Sequence, residues 1–338
     1  MPILPTTQSH VVLEQRPAGP VRPANFRLAR ASVPKPAAGE ALLQLEWLSM
    51  DPYLRGVIAG RHLGHRIEPG DRIPGLGVAR VIEAPDDSAV APGDHVVTDC
   101  GWCEYLARPA AQLQPLSLPA DIPVPKALGI LGMPGLTAWA GLHRLATIRP
   151  GQTVVTSAAS GTVGAAVIQL ASAHGCRTVG VTGAAKRTYV SETLQADVVV
   201  DRDAALAERL AGACPDGIDV YFDNVGGQVL ETAIHQLALG ARIILCGMID
   251  QYQLEERPPG PNLAPLIAAR ASMHGLVVYD HFDAMSEFLD EAVPLYRSGR
   301  LACRETIYEG LAQAPKAFCD LMSGKGHGKH LVRLNHDE

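Results

Sequence analysis

The stretch Val154-Val-Thr-Ser-Ala-Ala-Ser-Gly-Thr-Val-Gly-Ala165 decides the fold of this chain. Written as Ala159-x-Gly161-x-x-Gly164, it matches the G-x-G-x-x-G dinucleotide fingerprint except that alanine replaces the first glycine. In that fingerprint the second glycine lets the backbone approach a pyrophosphate, and the third lets the helix pack on the strand. The helix N-terminus then presents N–H groups to the anion. The stretch predicts a dinucleotide site, with a structural glycine turn in another α/β fold as the alternative.

Residues 151–175 around this turn contain no Asp, Glu, Lys or Arg. A membrane span is one interpretation of such a segment. Polar residues, among them Gln152 and Gln169, and the glycines of the turn interrupt it. We therefore expect a buried strand, a glycine turn and a buried helix, and no membrane association.

Strands and helices alternate through the middle of the chain, which predicts an α/β fold with a doubly wound, Rossmann-type parallel sheet. The expected strands are 153–157, 178–182, 198–200, 219–223, 242–246 and 275–279, and the expected helices are 163–174, 186–194, 204–213 and 227–237. Before residue 115, strands and Pro-Gly-Asp turns predict an all-β barrel or sandwich. After a helix at 284–297, a final strand at 328–334 is expected to return to that first domain.

Composition narrows the possible partners. Lys and Arg number 29 and Asp and Glu 35, for a net charge of −6, and aromatic residues make up 5%. A mildly acidic chain with few aromatic residues is not expected to bind nucleic acid or an anionic membrane. Seven scattered cysteines do not suggest a disulfide framework, and the N-terminal residues lack the pattern of an export signal. A cytoplasmic location is expected.

The end of the second strand of the α/β region favours NADP(H) over NAD. A carboxylate is typical there when the ribose is unphosphorylated. Here Val181-Thr-Gly-Ala-Ala-Lys-Arg187 contains no acid and ends in two cations, which suit a 2′-phosphate. The alternative is that Lys186 and Arg187 only solvate the start of a helix.

No metal is expected. A structural zinc needs four ligands, commonly from paired Cys-x-x-Cys motifs, and only Cys100-x-x-Cys103 is present. His62-x-x-His65 has no thiol beside it. The cysteine pair follows a strand instead of opening a helix, which argues against redox use.

Five motifs occur in order along nearly the whole chain. They are Ser49-Met-Asp-Pro-Tyr-Leu-Arg-Gly56, Gly132-Met-Pro-Gly-Leu-Thr-Ala-Trp139, Ala158-Ala-Ser-Gly-Thr-Val-Gly164, Asp219-Val-Tyr-Phe-Asp-Asn-Val-Gly-Gly227 and Gly328-Lys-His-Leu-Val332. Together they resemble the zinc-independent branch of the medium-chain dehydrogenase/reductases, in particular the prostaglandin, alkenal and curcumin reductases, also called the leukotriene hydroxydehydrogenase family.

The resemblance implies a GroES-like β-barrel domain formed by 1–119 and 291–338, around a Rossmann NADP-binding domain at 120–290. It implies reduction of the carbon–carbon double bond of α,β-unsaturated ketones or aldehydes by NADPH, in a homodimer. Zinc-dependent relatives carry a cysteine at the position of Ser49 and a Gly-His-Glu in the region of Pro74-Gly-Leu-Gly77. Both zinc positions are therefore lost here.

The resemblance also assigns cofactor contacts by position. Arg187 falls on the lysine that meets the 2′-phosphate, and residues 276–278 fall on a strand against the nicotinamide. The cofactor-binding residues so implied are Met133, Thr137, Gly161, Thr162, Val163, Gly164, Thr182, Lys186, Arg187, Arg202, Asn224, Cys246, Gly247, Met248, Tyr252, Leu276, Val277 and Val278.

Three positions depart from the family pattern. Arg202 replaces a tyrosine near the adenosine phosphate, Gly326 replaces an asparagine of the tail, and Ala268 replaces a tyrosine near the substrate carbonyl. The first substitution exchanges stacking for charge, the second predicts a missing cofactor contact, and the third leaves the substrate range open.

Hydride delivery to an enone leaves negative charge on its oxygen, so a neutral hydroxyl donor is needed nearby. Tyr53 and Tyr252 are the candidate catalytic and substrate-contacting residues, and Tyr279 is a weaker substrate candidate. Each tyrosine has the alternative of simple packing. A quinone as electron acceptor, or a non-catalytic NADPH-binding sensor, remain alternatives for the whole protein.

Overall fold

The computed structural model describes residues 4–61, 66–256 and 258–334, so His62 and His65 lie outside the described part. The strands are β1 Thr7–Leu13, β2 Phe26–Ser32, β3 Glu40–Met50, β4 Leu76–Glu83, β5 His95–Asp99, β6 Tyr105–Pro109, β7 Thr153–Thr156, β8 Arg177–Thr182, β9 Val198–Asp201, β10 Ile218–Asp223, β11 Leu237–Leu245, β12 Ser272–Gly275, β13 Glu305–Glu309 and β14 Lys329–Arg333. The helices are α1 Leu54–Ile58, α2 Met133–Ala140, α3 Thr162–Ala173, α4 Leu206–Ala213, α5 Gly227–Ile234, α6 Ala264–Ala269, α7 Met285–Arg297 and α8 Ala314–Met322.

The described residues form two compact units. The terminal unit comprises those of 1–128, 305–326 and 330–338, and the central unit comprises 129–304 and 327–329. Among the described residues, no helix has the length and apolar character needed to cross a membrane.

The terminal unit is built on antiparallel strands. Its larger sheet has the order β13-β14-β3-β4-β5, with β6 also paired to β3, and β1 and β2 form a separate two-stranded ribbon. Strand β14, near the end of the chain, pairs with β3 in this sheet. Side chains such as Leu43, Leu45 and Trp102 are fully buried in this unit.

The central unit contains six parallel strands in the order β12-β11-β10-β7-β8-β9. Numbered along the chain, this is the 3-2-1-4-5-6 arrangement of a dinucleotide-binding sheet, so the doubly wound prediction is confirmed. The central strands β7, β8 and β10 are buried along nearly their whole length, as parallel strands covered by helices on both faces are. The strand order reverses between β7 and β10, and ligands of such sheets bind at the carboxyl ends of the strands there.

One predicted strand is wrong, and one predicted helix is present in an irregular form. The strand expected at 275–279 ends at Gly275, because its partner β11 ends at Leu245 and pairing stops with the Leu276 N–H bonded to the Leu245 carbonyl at 2.9 Å. The chain then turns into a 3-10 helix at Val278–Ala284. The helix expected at 186–194 is instead a 3-10 turn followed by a π-helical turn at Tyr189–Thr193.

The compact units divide at 128/129 and 304/305, later along the chain than the expected 119/120 and 290/291. Ala127 and Leu128 pack with Val78 of β4, and Lys126 pairs with Glu305 at 2.7 Å, which places both segments in the terminal unit. Helix α7 contacts α2, which keeps it in the central unit.

Candidate functional site

The glycine turn has the strand–turn–helix form that the sequence predicts. Strand β7 ends at Thr156 and Gly161 caps the N-terminus of α3. A Cβ on Gly164 would lie 2.5 Å from the Ala158 carbonyl oxygen, so this glycine lets the helix pack against the turn itself. Gly161 has an ordinary φ, and a Cβ there would meet only the Ala158 carbonyl oxygen, at 3.2 Å. Its small size therefore leaves the backbone accessible to a phosphate.

The left-handed residue of the turn is Ala158, with φ of +48°. A non-glycine residue in that region costs about 1–2 kcal/mol. The alanine at the first fingerprint position, Ala159, is fully buried and has a negative φ, so glycine is not needed there. The turn therefore tolerates the departure from the fingerprint but carries strain one residue earlier.

The N-terminus of α3 is suited to an anion. The first N–H groups of a helix have no partner within it, and the dipole adds partial positive charge. In this twelve-residue helix those groups belong to Thr162, Val163 and Gly164. The Gly328 N–H donates to the Ser160 carbonyl at 3.0 Å, which fixes the turn from its other side.

A buried hydrogen-bond network joins the ends of β7 and β10. The Ser157 hydroxyl donates to Asp223 Oδ1 at 2.8 Å and accepts from the Asn224 N–H at 2.8 Å. The Asn224 amide donates to the Ser157 carbonyl at 2.8 Å. Asp223 also accepts from the Tyr221 hydroxyl and from the Val225 and Gly226 N–H groups. The network positions Asn224 at the switch point of the sheet.

Burial raises the pKa of the Asp223 carboxyl, although its four donor groups oppose the rise. Ser157 and Asp223 were not selected from the sequence. Ser157 directly follows the buried strand β7, and Asp223 ends the buried strand β10. A polar residue at the end of a buried strand is the sequence pattern that could have identified both.

Basic side chains gather where β8 ends at Thr182. The Thr182 hydroxyl donates to Ser160 Oγ at 3.2 Å, and the Thr182 carbonyl accepts from the Arg202 N–H at 2.8 Å. Lys186 is half-buried, and that burial lowers the pKa of its ammonium. An anion beside Lys186 would compensate the lost solvation, so these residues fit a 2′-phosphate.

Two carboxylates, Asp201 and Asp203, lie at this edge. Asp201, which ends the neighbouring strand β9, pairs with both Arg187 and Arg209 at 3.2 Å. Arg209 also pairs with Asp203 at 3.0 Å, so two guanidinium groups and two carboxylates meet here. Arg202 lies 3.9 Å from Asp250 and is half exposed.

Two further basic residues lie close to this group and were missed in the sequence. The Arg304 guanidinium lies 4.8 Å from the ring centroid of Tyr189, and the His327 ring lies 5.5 Å from that of Tyr189. Burial, together with the charges of Lys186 and Arg304, lowers the pKa of His327. His327 directly precedes Gly328, which pairs with Gly161 of the turn. Only the fold brings these distant residues to the glycine turn.

The loop after β11 holds Tyr252. Cys246 and Gly247 donate their N–H groups to the Asp223 carbonyl, and the Met248 N–H donates to the Tyr252 hydroxyl oxygen at 3.3 Å. Burial raises the pKa of Tyr252, so the phenol stays protonated at neutral pH. Burial, with the charge of Asp223, also raises the pKa of the Cys246 thiol to about 12. The loop offers a neutral hydroxyl donor and no thiolate.

The remaining predicted residues of the central unit are placed as follows. Thr137 is buried in α2 and donates to the Met133 carbonyl at 2.7 Å. Leu276 is buried, whereas Val277 and Val278 are half-buried. Tyr279 is exposed and its ring packs on Phe282.

Tyr53 belongs to the terminal unit, where it directly precedes α1. Nearby in sequence, the Ser49 hydroxyl donates to the Asp51 carboxylate, and both side chains are buried. This contact supports a structural role for Asp51 in the turn. A serine at position 49 offers no thiolate to zinc.

The cysteine pair is a packing feature of the terminal unit. Cys100 donates to the Gly75 carbonyl and Cys103 to the Cys100 carbonyl, both at 3.2 Å. Burial raises the pKa of both thiols, which keeps them protonated and unreactive.

The family asparagine has no room at Gly326. This glycine has φ of +74°, and a Cβ there would lie 2.8 Å from His330 Nε2 and 2.9 Å from Thr306 Oγ1. Ala268 lies exposed on α6.

An antiparallel N-terminal sheet in one unit and a doubly wound sheet with a glycine turn in the other define a nucleotide-dependent oxidoreductase of the medium-chain class. The family model for the N-terminal domain of oxidoreductases matches residues 9–116, and the model described as zinc-binding dehydrogenase matches residues 162–293.

The chain is 38% identical to the NADPH-dependent curcumin reductase of Escherichia coli (strain K12), over 97% of each protein. It is 36% identical to the NADP(+)-dependent 2-alkenal reductase of Nicotiana tabacum, over 86% of each. The crystal structure of CurA from Vibrio vulnificus in complex with NADPH has a TM-score of 0.90 at 34% identity, covering 97% of this chain and 100% of that one.

The chain therefore belongs to the zinc-independent medium-chain dehydrogenase/reductases, in the group of the curcumin, alkenal and prostaglandin reductases.

Proposed function

We propose that this protein reduces the carbon–carbon double bond of α,β-unsaturated ketones or aldehydes with NADPH. One observation carries the proposal. The open N-terminus of α3 at Gly161 and the basic residues after β8, including Lys186 and Arg187, lie at the carboxyl edge of one doubly wound sheet. That edge suits a dinucleotide that carries an additional phosphate.

The residues present fit this cofactor. Gly161 leaves the backbone accessible, Asn224 is held at the switch point, and Lys186 is a half-buried cation. We assign the pyrophosphate to Gly161–Gly164, the 2′-phosphate to Lys186, Arg187 and Arg202, and the nicotinamide side to Cys246–Met248, Tyr252 and Leu276–Val278. Met133, Thr137 and Thr182 complete the assigned contacts.

When bound, NADPH supplies the hydride to the β-carbon of the enone. Negative charge then develops on the carbonyl oxygen, and a hydrogen-bond donor lowers the barrier. Tyr252 holds its proton because burial raises its pKa, and its hydroxyl can donate without adding charge. We assign this role to Tyr252. The sequence motif makes Tyr53 of the terminal unit a further candidate donor, and Tyr279 is a candidate substrate contact.

A panel of enones, enals and quinones, followed by NADPH absorbance, tests the proposal. We expect turnover of enones and a saturated ketone or aldehyde as product. Turnover of quinones alone would indicate a quinone reductase. Tight NADPH binding without turnover of any acceptor would indicate a sensor.

A homodimer is the second part of the proposal. Strand β12 forms the edge of the central sheet, and α6 packs on its neighbour β11. Leu239 of β11 and Ile267 of α6 are 73% and 81% exposed, which is unusual for large apolar side chains. We expect light scattering to show a dimer, Leu239→Glu and Ile267→Glu to give monomers, and Leu28→Glu, an exposed site of the terminal unit, to remain dimeric. A monomeric parent would refute this part.

The cysteines support a cytoplasmic location. All seven are free thiols in the structure, as expected for a reducing compartment. Fractionation of cells that express the protein tests this assignment.

A further inference from the structure

Three ligand-type side chains converge on the central unit away from the proposed cofactor site. They are His143, in the π-helical turn that continues α2, His174, which caps the C-terminus of α3, and Glu291 of α7. One ligand atom from each residue lies within 4.8 Å of the others. All three side chains are only partly exposed.

The distances are close to those around a small metal ion. His174 Nε2 lies 2.9 Å from Glu291 Oε1, and His143 Nε2 lies 3.7 Å from Glu291 Oε2. Around a tetrahedral zinc with ligand bonds of about 2.0–2.1 Å, neighbouring ligand atoms are roughly 3.3 Å apart. The two observed distances bracket that value, although they end on different oxygens of Glu291 and the shorter one is a hydrogen bond. An ion would replace that hydrogen bond after small rotations of the three side chains.

The environment of the cluster also favours a ligand. Nε2 of His143 is one of the few buried side-chain nitrogens of the described residues that has no hydrogen-bond partner. The Trp139 indole N–H donates to Glu291 Oε2 at 2.9 Å, which orients the carboxylate as outer partners of metal ligands do. The nearby cation Arg144 is engaged by Asp283 and Glu287, so its charge is compensated.

We propose that His143, His174 and Glu291 bind a divalent first-row transition ion such as Zn²⁺, with a fourth position open to water. Two imidazoles and one carboxylate suit such ions better than Mg²⁺ or Ca²⁺, which prefer oxygen ligands alone. The site revises the expectation of no metal, which rested on residues close in sequence.

The ion would link α2, α3 and α7, and it takes no part in hydride transfer. Gly161 and His174 cap opposite ends of α3. Twelve residues at about 1.5 Å each separate them by roughly 18 Å. Binding is therefore expected to raise thermal stability and to leave NADPH affinity unchanged.

The test uses the full-length protein without a histidine tag, stripped with chelator and then equilibrated with Zn²⁺ or Co²⁺. We expect one ion per chain, a higher Tm with Zn²⁺, and a Co²⁺ spectrum without the charge-transfer band of a thiolate. His174→Gln and Glu291→Gln should weaken binding at least tenfold and abolish the Tm shift. His235→Gln is the matched control, because His235 caps the C-terminus of α5 as His174 caps α3.

A parent protein that binds no ion would overturn the proposal. So would retention of the ion in both Glu291→Gln and His174→Gln, or a thiolate band in the Co²⁺ spectrum. Circular dichroism checks that each variant is folded. If His174→Gln or Glu291→Gln does not fold, His143→Asn is tested in its place. An NADPH affinity unchanged by Zn²⁺ separates this site from the proposed cofactor site.

Discussion

The Ser157 hydroxyl and the Asp223 carboxylate form a 2.8 Å hydrogen bond between the ends of the two parallel strands that flank the switch point. Both side chains are fully buried. The same hydroxyl accepts the Asn224 N–H, so one serine links a buried acid to a proposed cofactor residue.

Ser157→Ala should lower the free energy of unfolding by about 1–3 kcal/mol, because the Asn224 N–H loses its acceptor and the buried Asp223 carboxylate loses one of its four donor groups. NADPH affinity should fall as well, since Asn224 loses one of the hydrogen bonds that position it. Denaturant unfolding and a fluorescence titration measure the two effects. Ser172→Ala, on the exposed face of α3, is the control. Equal stability of the two variants would contradict the role of this bond.

Ala158→Gly and Ala159→Gly should have opposite effects on stability. Glycine at 158 relieves the strain of a positive φ, so the variant should match or exceed the parent by up to about 1 kcal/mol. Glycine at 159 removes a fully buried methyl group and adds backbone freedom, so that variant should lose about 1 kcal/mol or more. Thermal unfolding of both variants measures these effects on stability. An Ala159→Gly variant more stable than the parent would contradict the prediction.

Arg187→Glu should weaken NADPH binding at least tenfold and leave NADH binding nearly unchanged. A carboxylate at this position repels the 2′-phosphate, and the variant also removes one partner of Asp201. Arg209→Gln separates the two causes, because it removes a partner of Asp201, and that of Asp203 as well, but keeps Arg187. Calorimetric titration with both cofactors provides the measurement. Parent affinities that are equal for NADPH and NADH would defeat the phosphate assignment.

Tyr252→Phe should reduce kcat at least tenfold and lower NADPH affinity much less, because the variant loses the hydroxyl that donates to the substrate together with one acceptor for the Met248 N–H. Tyr296→Phe on α7 serves as the control. Because burial raises the pKa of Tyr252 above its ordinary value near 10, the donor stays protonated through about pH 9. The kcat of the parent should therefore show no loss from this group between about pH 7 and 9. An unaltered kcat in Tyr252→Phe would remove it from catalysis.

Enone reduction should survive a strong chelator, because neither the serine at position 49 nor the buried thiols of Cys100 and Cys103 offer a zinc site to the reaction. Steady-state rates before and after chelation test this expectation. Loss of activity with an unchanged circular dichroism spectrum would show that the reaction needs a metal.

The sequence predicts the architecture well, because strand–helix alternation and the glycine turn are local patterns with one favourable arrangement. Its errors are also local. Residues 275–279 have the apolar character of a strand, but a strand forms only where a neighbour continues beside it, and β11 ends at Leu245. The hydrophobic pattern of a segment carries no information about the length of the strand beside which it would pair.

The candidate site was predictable only where a motif carries it. The turn at Gly161 and the cations after Thr182 follow from spacing along the chain. His327 and Arg304 reach the same place from the far end of the sequence, and the cluster of His143, His174 and Glu291 spans more than a hundred residues. Such groups become visible only when the packing of helices and strands is known.

The crowding at Gly326 has an evolutionary consequence. A side chain at 326 would collide with His330 and Thr306, so introducing the family asparagine in one step should be harmful. If His330 and Thr306 are first exchanged for smaller residues, the collision is removed, and only the cost of the positive φ remains. Whether a side chain is tolerated at position 326 then depends on which substitutions came before it. The order in which substitutions occur therefore limits how this sequence can evolve.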